Sequence, residues 1–268
     1  MLELDDVTLR RLQMIELELL AEVHRICEKC GIHYNIIAGT LLGAVRHKGF
    51  IPWDDDADVA MMRPEYEKFR KICRTELDRT RFYFQDQRNT PGYRWGYGKL
   101  RRKNTLFLRE RQEHMPYNQG VFIDIFPLDY VPHNMILRRL HNMRCFLYRK
   151  FFWAEAGRKA DQSPAMRLLY SMMCRVPEQI LKKSFYRFIC KSNQKKSGWV
   201  RILTFPTPNK AYGYRVEWYL HSEEFLFEGR KFWGIRDYDD YLSFKYGDYR
   251  ELPPQEERKV HAVSSIKV

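Results

Sequence analysis

Four carboxylates stand within five positions, Asp54, Asp55, Asp56 and Asp58, and the chain then runs directly into Val59-Ala60-Met61. Aspartate is among the residues least suited to strands, and like charges this close repel one another. A solvated acidic loop is one way to tolerate them, but an apolar strand following at once is an odd place for spare charge. If the segment is extended, side chains alternate between faces, so Asp54, Asp56 and Asp58 project together while Asp55 and Ala57 point away. Carboxylates about 7 Å apart along a strand can grip one divalent ion or a pair, and hard oxygen donors select Mg²⁺ or Mn²⁺.

The residues on either side extend this pattern. Leu9, Leu12, Ile15, Leu19, Val23 and Ile26 recur at helical spacing, with Asp5, Asp6 or Thr8 as caps and Gly31 as the stop, which predicts an amphipathic helix over 8–30. Tyr34 to Ala38 reads as a short buried strand ending at Gly39, and Thr40 to His47 as a helix entered directly from it. A Gly-Thr turn between strand and helix lets the backbone approach a phosphate and offers N–H donors. Pro64 opens a helix expected to reach Arg79, and strands are predicted over 82–85, 94–100, 105–109 and 120–126. Asp124 falls inside the apolar run Phe122 to Leu128, where an unpaired charge is costly. A metal shared with Asp56 and Asp58 would satisfy it, and so would a buried ion pair with an arginine. Asp129, beyond Pro127, reads as a turn or cap residue.

Other candidates surround these acids. Arg46, His47 and Lys48 lie between the Gly-Thr turn and the acidic cluster, placed either to contact donor phosphates or to pair with Asp54 or Asp55. Lys99 and Arg101 share one strand face and are candidate phosphate ligands. Trp53 can stack on a base or, the preferred reading after an apolar run, pack beneath its loop. Tyr93, Trp95, Tyr97, Tyr117, Trp218 and Tyr219 are available for an aromatic cage around a quaternary ammonium. His261 either reaches the site or belongs to a polar tail.

Composition narrows the class. The six cysteines are irregularly spaced, and Cys27-Glu-Lys-Cys30 has no second pair or histidine at zinc spacing, so neither a disulfide scaffold nor a zinc site is indicated. The acidic start Met1-Leu2-Glu3 lacks the basic-then-apolar pattern of a secretory signal, and no run approaches the ~20 apolar residues of a membrane span. The expectation is a cytoplasmic protein, soluble or peripheral on the inner face of the cytoplasmic membrane. Between 134 and 196 fifteen basic residues face three acidic ones, which is +12 of the chain's total of +13. The stretch is rich in Phe and Met at helical spacing, with breaks near 157–164 and at Pro177. Such a segment either packs on the sheet with a solvated basic face or meets an anionic membrane.

The run Ala38 to Val59, from Ala-Gly-Thr-Leu-Leu-Gly through Pro52-Trp53-Asp54-Asp55-Asp56-Ala57-Asp58-Val59, resembles the signature of the LicD family, to which fukutin and fukutin-related protein are also related. Lys99-Leu100-Arg101, 120–129, Glu228-Gly229 and the pieces from Tyr246 to Pro254 extend the likeness over most of the chain; Ala57 stands where the family more often has a larger aliphatic residue. The resemblance implies an α+β, nucleotidyltransferase-like mixed sheet with flanking helices, in which Asp56, Asp58 and Asp124 take the metal-binding and catalytic positions. Gly39, Thr40, Arg46, His47, Lys48, Lys99 and Arg101 remain the substrate-binding candidates. It further implies transfer of a phospho-alcohol, foremost phosphocholine from CDP-choline, to a sugar of a surface glycan precursor such as teichoic acid, lipopolysaccharide or capsule, with release of CMP. Asp58 or Asp124 is then the candidate acceptor of the sugar's proton.

The expected organisation is a catalytic core over 1–133, an inserted basic helical segment over 134–197 facing membrane or acceptor, and C-terminal elements over 198–268 completing the same domain. Expected partners are the CDP-alcohol donor, a glycan acceptor that is lipid-linked in one version, and an anionic membrane surface. Two rivals remain: an NTP-dependent nucleotidyltransferase, and a nucleic-acid binder, against which the acidic cluster argues because it would repel a phosphate backbone.

Overall fold

The computed structural model describes residues 4–258 and 261–268, so the reading of Met1-Leu2-Glu3 lies outside the described residues. Helix α1 (Asp6–Cys30) begins where the Asp5 carboxylate accepts the Thr8 N–H at 2.7 Å and ends at Gly31 in the left-handed region, φ 57°. Strand β1 (Asn35–Ile36) is shorter than expected, and helix α2 (Ala38–His47) begins before Gly39, not after it. The last ladder bond of this strand is the Ile37 N–H donating to the Asp58 carbonyl at 3.1 Å, after which the chain turns into the helix.

Strand β2 (Asp58–Met62) leads into helix α3 (Arg63–Ile72), which carries Pro64 in its first turn. This helix stops seven residues short of Arg79, because α1 captures the chain beyond it: Glu22 accepts the Asp78 N–H at 3.2 Å and Arg25 donates to the Glu76 carbonyl at 2.7 Å. Strands β3 (Phe82–Gln85), β4 (Gly98–Arg102), β5 (Leu106–Arg109) and β6 (Phe122–Tyr130) follow. The last of these runs through Pro127, which corrects the reading of Asp129 as a turn or cap residue. Asp129 is a fully buried strand residue held by both sides of the Arg63 guanidinium, at 2.7 and 2.5 Å, and by the Asn193 amide at 2.6 Å.

Helices α4 (Met135–Ala160), α5 (Pro164–Met173) and α6 (Glu178–Asn193) break at the two expected places. Strands β7 (Trp199–Arg201), β8 (Tyr214–Arg215), β9 (Ser222–Phe227) and β10 (Arg230–Ile235) then return to the sheet, followed by helix α7 (Tyr238–Tyr246) and strand β11 (Val263–Lys267). A polar tail was expected at this end; instead β11 pairs antiparallel with β5 in a separate two-stranded sheet.

The main sheet has the order β3-β4-β6-β2-β1-β10-β9, with β7 paired to the end of β6 and β8 to β7. The β6–β2 and β1–β10 pairs are parallel and the rest antiparallel, so the fold is the expected mixed sheet with flanking helices. The register matters most at its centre. Asp58 on β2 lies opposite Asp124 on β6, which lies opposite Lys99 on β4. Cross-strand partners share a face, so the sheet alone aligns two carboxylates and an ammonium in one row. Among the described residues no helix is long and apolar enough to cross a membrane.

Candidate functional site

The acidic segment is held from three directions. The Gln13 amide on α1 donates to the Asp54 carbonyl at 3.0 Å, and the Thr40 hydroxyl accepts the Asp58 N–H at 2.8 Å. From the C-terminal side His261 grips Asp55, its backbone N–H at 3.1 Å and its Nδ1 at 2.8 Å from the two carboxylate oxygens. The other ring nitrogen of His261 lies 3.8 Å from Asp56. Asp55 is therefore buried and structural, while Asp54, Asp56 and Asp58 are half-buried and crowd one another.

That crowding has an electrostatic consequence. Burial, and then the charges of Asp56 and Asp55, push the Asp54 carboxyl up to about 8. Asp58 is raised well above the usual carboxylate range by burial and by Asp56, Asp124 and Asp54. Asp56 is raised by burial, against the opposing pull of His261 and Arg109. A fifth acid, Glu16 on α1, is buried nearby with its Oε2 lacking a hydrogen-bond partner among the described residues; burial and the charges of Asp56, Asp55 and Asp54 raise it as well. The donor set is one of hard oxygens with more negative charge than its neighbours neutralise, which suits a divalent cation. Asp124 is already engaged, since its Oδ1 is ion-paired with the Lys99 ammonium. As the side chains stand, no three carboxylate, histidine or cysteine groups among the described residues close on one point.

Lys99 also faces a cavity of about 340 Å³. Its cationic wall consists of Lys99, Arg101, Arg109, Arg149 and Lys150, and its aromatic wall of Trp95, Tyr97, Phe122, Phe146, Trp153 and Phe205. Burial pulls the Lys99 ammonium down to about 7 despite Asp124, and its nitrogen sits 3.4 Å from the centre of the Phe122 ring. Arg101 is fixed by Gln85 at 2.7 Å and the Gly120 carbonyl at 2.6 Å. Arg109 differs: its Nε and Nη2 are buried with no hydrogen-bond partner among the described residues, and its guanidinium lies over Phe122. A buried guanidinium with unfilled donors is matched to an anion. Trp95 and Trp153 lie 5.7 Å apart with their planes at 37°, forming an aromatic corner beside those cations.

Several candidates from the sequence take other places. A side chain on Gly39 would put its Cβ 2.6 Å from the Asp54 carboxylate, so this glycine makes room for that acid at the start of α2. Thr40 is buried and spends its hydroxyl on Asp58. Arg46 donates to the carbonyls of Tyr249 and Glu251 and to the His47 ring, so its bonds go to the C-terminal segment and to neither Asp54 nor Asp55. Lys48 is the left-handed cap of α2, φ 59°. Trp53 packs on the core with the Arg258 guanidinium 4.2 Å from its ring centre. Of the aromatic candidates, Trp95 and Tyr97 line the cavity, Tyr93 and Tyr117 are buried behind them, and Trp218 and Tyr219 pack against Tyr241 elsewhere.

Sequence reasoning missed Glu16 and Arg109. Glu16 had a readable signal, a charged residue on the apolar stripe of α1 between Leu12 and Leu20. Arg109 had none, because its position depends on β5 pairing with the far C-terminal strand.

Comparison with known proteins adds to this geometry. Residues 31–151 match the LicD/FKTN/FKRP nucleotidyltransferase domain. The chain is 29% identical over 270 residues to the lipopolysaccharide cholinephosphotransferase LicD of Haemophilus influenzae, covering 98% of each chain. Uncharacterised proteins of Rickettsia typhi and Rickettsia prowazekii are 46% and 48% identical over 55 residues, about a fifth of each chain.

Proposed function

The chain belongs to the LicD family, and from that premise we propose that it transfers phosphocholine from CDP-choline to a sugar hydroxyl of a cell-surface glycan precursor of the lipopolysaccharide type, releasing CMP. The observation that carries the reading is the junction of the Asp58–Asp124–Lys99 row with a cavity that is cationic on one wall and aromatic on the other. Phosphocholine is a zwitterion, and such a cavity offers both halves a partner. Arg109 and Lys99 face the phosphates, and the Trp95–Trp153 corner suits a trimethylammonium group.

Asp56 and Asp58 would hold Mg²⁺ or Mn²⁺, joined by Asp124 when Lys99 turns to the donor. The ion would supply charge neutralisation at the transferring phosphate. The protein's own residues do the rest. Lys99, Arg101 and Arg109 orient the diphosphate so that the acceptor oxygen attacks the β-phosphorus in line. A new P–O bond forms to the sugar, the bond from that phosphorus to the oxygen bridging the two phosphates breaks, and CMP departs with that oxygen and its electron pair. The hydroxyl proton passes to Asp58 or Asp124.

The test is thermal stability with CDP-choline, CDP-ribitol, CTP and ATP in turn, each with and without Mg²⁺. A ligand at 100 times its Kd adds about 2.7 kcal/mol. A Mg²⁺-dependent shift with CDP-choline, together with release of CMP, supports the proposal. A shift confined to CDP-ribitol changes the alcohol, and one confined to an NTP with release of pyrophosphate replaces phospho-alcohol transfer with nucleotidyl transfer.

A further inference from the structure

Helix α4 leaves one long face uncovered by the described residues. Ile136, Leu140, Met143 and Leu147 recur at steps of four, three and four, and each is more than half exposed. At 100° per residue these four lie within one narrow stripe along three turns of helix. Farther along α4, beside the line of this stripe, α5 packs on the helix, where Tyr170 closes on Gly157 and its hydroxyl accepts from Lys150 at 3.0 Å. Leu168 and Met172, on the outer side of α5, are exposed in turn. The two helices therefore present apolar side chains to solvent on a structured surface, where a soluble chain would normally place polar ones.

The charge around that surface selects its partner. Arg139 and Arg144 border the stripe, one on each side, and both are exposed. They belong to the segment that carries +12 of the chain's +13. A second copy of this face would bring like charges together, whereas an anionic lipid surface would neutralise them while burying the apolar stripe. An adjacent flank of α4 supplies a further observation. Phe146, Arg149, Lys150 and Trp153 line the cavity, and at 100° per residue Phe146 and Trp153 lie about a quarter-turn round the helix from the stripe. One helix thus carries both the exposed apolar stripe and a wall of the cavity.

We propose that α4 and α5 seat the protein on an anionic membrane, with the Ile136–Leu147 stripe in the interface, so that the cavity opens beside the lipid surface toward an acceptor carried on a lipid. The docking itself stands on the exposed stripe and the charge; the lipid-borne acceptor rests on the function proposed above. Arginines flanking the stripe reach lipid phosphates while the leucine and isoleucine side chains enter the acyl boundary.

Flotation of the full chain with vesicles tests this. Binding is expected with phosphatidylcholine vesicles containing about 30 mol% phosphatidylglycerol, and binding about tenfold or more weaker is expected with pure phosphatidylcholine. Raising salt from about 0.1 to about 0.5 M should weaken it similarly, since the arginines act through a screened field. The triple variant Ile136→Ser/Leu140→Ser/Leu147→Ser is expected to bind about a hundredfold more weakly with an unchanged melting temperature, because the lost side chains are exposed in the free protein. No flotation of the wild type with the anionic vesicles, or equal flotation of wild type and variant, would overturn the proposal. A wild-type dimer that the triple variant dissolves would overturn it in favour of a second copy of the chain. Thermal shift by CDP-choline without vesicles is read in parallel on both proteins. Its absence alongside normal flotation refutes the proposed function and leaves the docking standing.

Discussion

Substituting Asp58→Asn separates a cation-binding role of the acidic row from a structural one. Neighbouring strands lie about 4.8 Å apart, and Asp58 faces Asp124 across that gap, with Asp56 adding to the crowding. At an effective dielectric constant of about 20, two unit charges at that distance repel by about 3 kcal/mol. Lys99, paired with Asp124, cancels part of this. Removing the Asp58 charge should therefore stabilise the metal-free protein by about 1–3 kcal/mol. Its backbone N–H, which donates to the Thr40 hydroxyl, is untouched by the substitution. At about 2–4 °C per kcal/mol for a chain of this order of size, the melting temperature in EDTA should rise by several degrees. Saturating Mg²⁺ should raise the wild type by a comparable amount, about 2.7 kcal/mol at 100 times the Kd, and leave the variant unmoved. A variant that melts lower than wild type in EDTA would refute the reasoning, because the carboxylate would then be holding the sheet together.

Three further outcomes follow from the geometry. Arg109→Ala should raise the Kd for CDP-choline about 10- to 100-fold, the worth of a charge-assisted contact, measured by titration calorimetry, with the smaller effect on melting because, among the described residues, its Nε and Nη2 hold no hydrogen-bond partner and truncation gives up only the contact with Phe122. Arg63→Ala should cost about 3–5 kcal/mol in urea unfolding, since it strands the fully buried Asp129 carboxylate. Burial, aided by Arg201 and Arg144, pulls His141 down to about 4, so its neutral form contributes stability above its unfolded pKa of about 6.5 that is lost as pH falls toward 4. Wild type should therefore lose up to about 3 kcal/mol more than His141→Gln across that interval, read from urea midpoints at each pH.

Local chemistry explains which parts of the fold were legible. The caps at Asp5 and Gly31, Pro64 at the start of α3, and the breaks near Asp161 and at Pro177 are short-range signals, and the elements begin or end where those residues stand. Alternation placed Lys99 and Arg101 on one strand face, and both line the cavity. Long-range partnership is where reading failed. Nothing near Asp129 announces that Arg63, sixty-six positions earlier, will claim it and extend β6 past a proline. Likewise the C-terminal residues look polar in isolation, yet β5 draws them into a strand and His261 reaches Asp55 across more than two hundred positions.

The same distinction bears on Asp124. Its sequence context required a counter-charge and left open whether that would be a metal or an arginine. The structure supplies Lys99, which burial holds near the middle of its titration range, and so a partner that is less tightly charged than arginine would be. An arginine would bind the carboxylate with two planar hydrogen bonds, as Arg63 binds Asp129 one strand-length away. A lysine makes a single point contact on a flexible stem, and its stem here runs along the cavity wall. Two carboxylates on one strand thus receive different cations. The deep one, Asp129, is fixed by a fork that anchors the helical segment through Asn193. The one beside the cavity, Asp124, is held by a lysine through a single contact at the cavity wall, the arrangement that the proposed donor binding at this row would draw on.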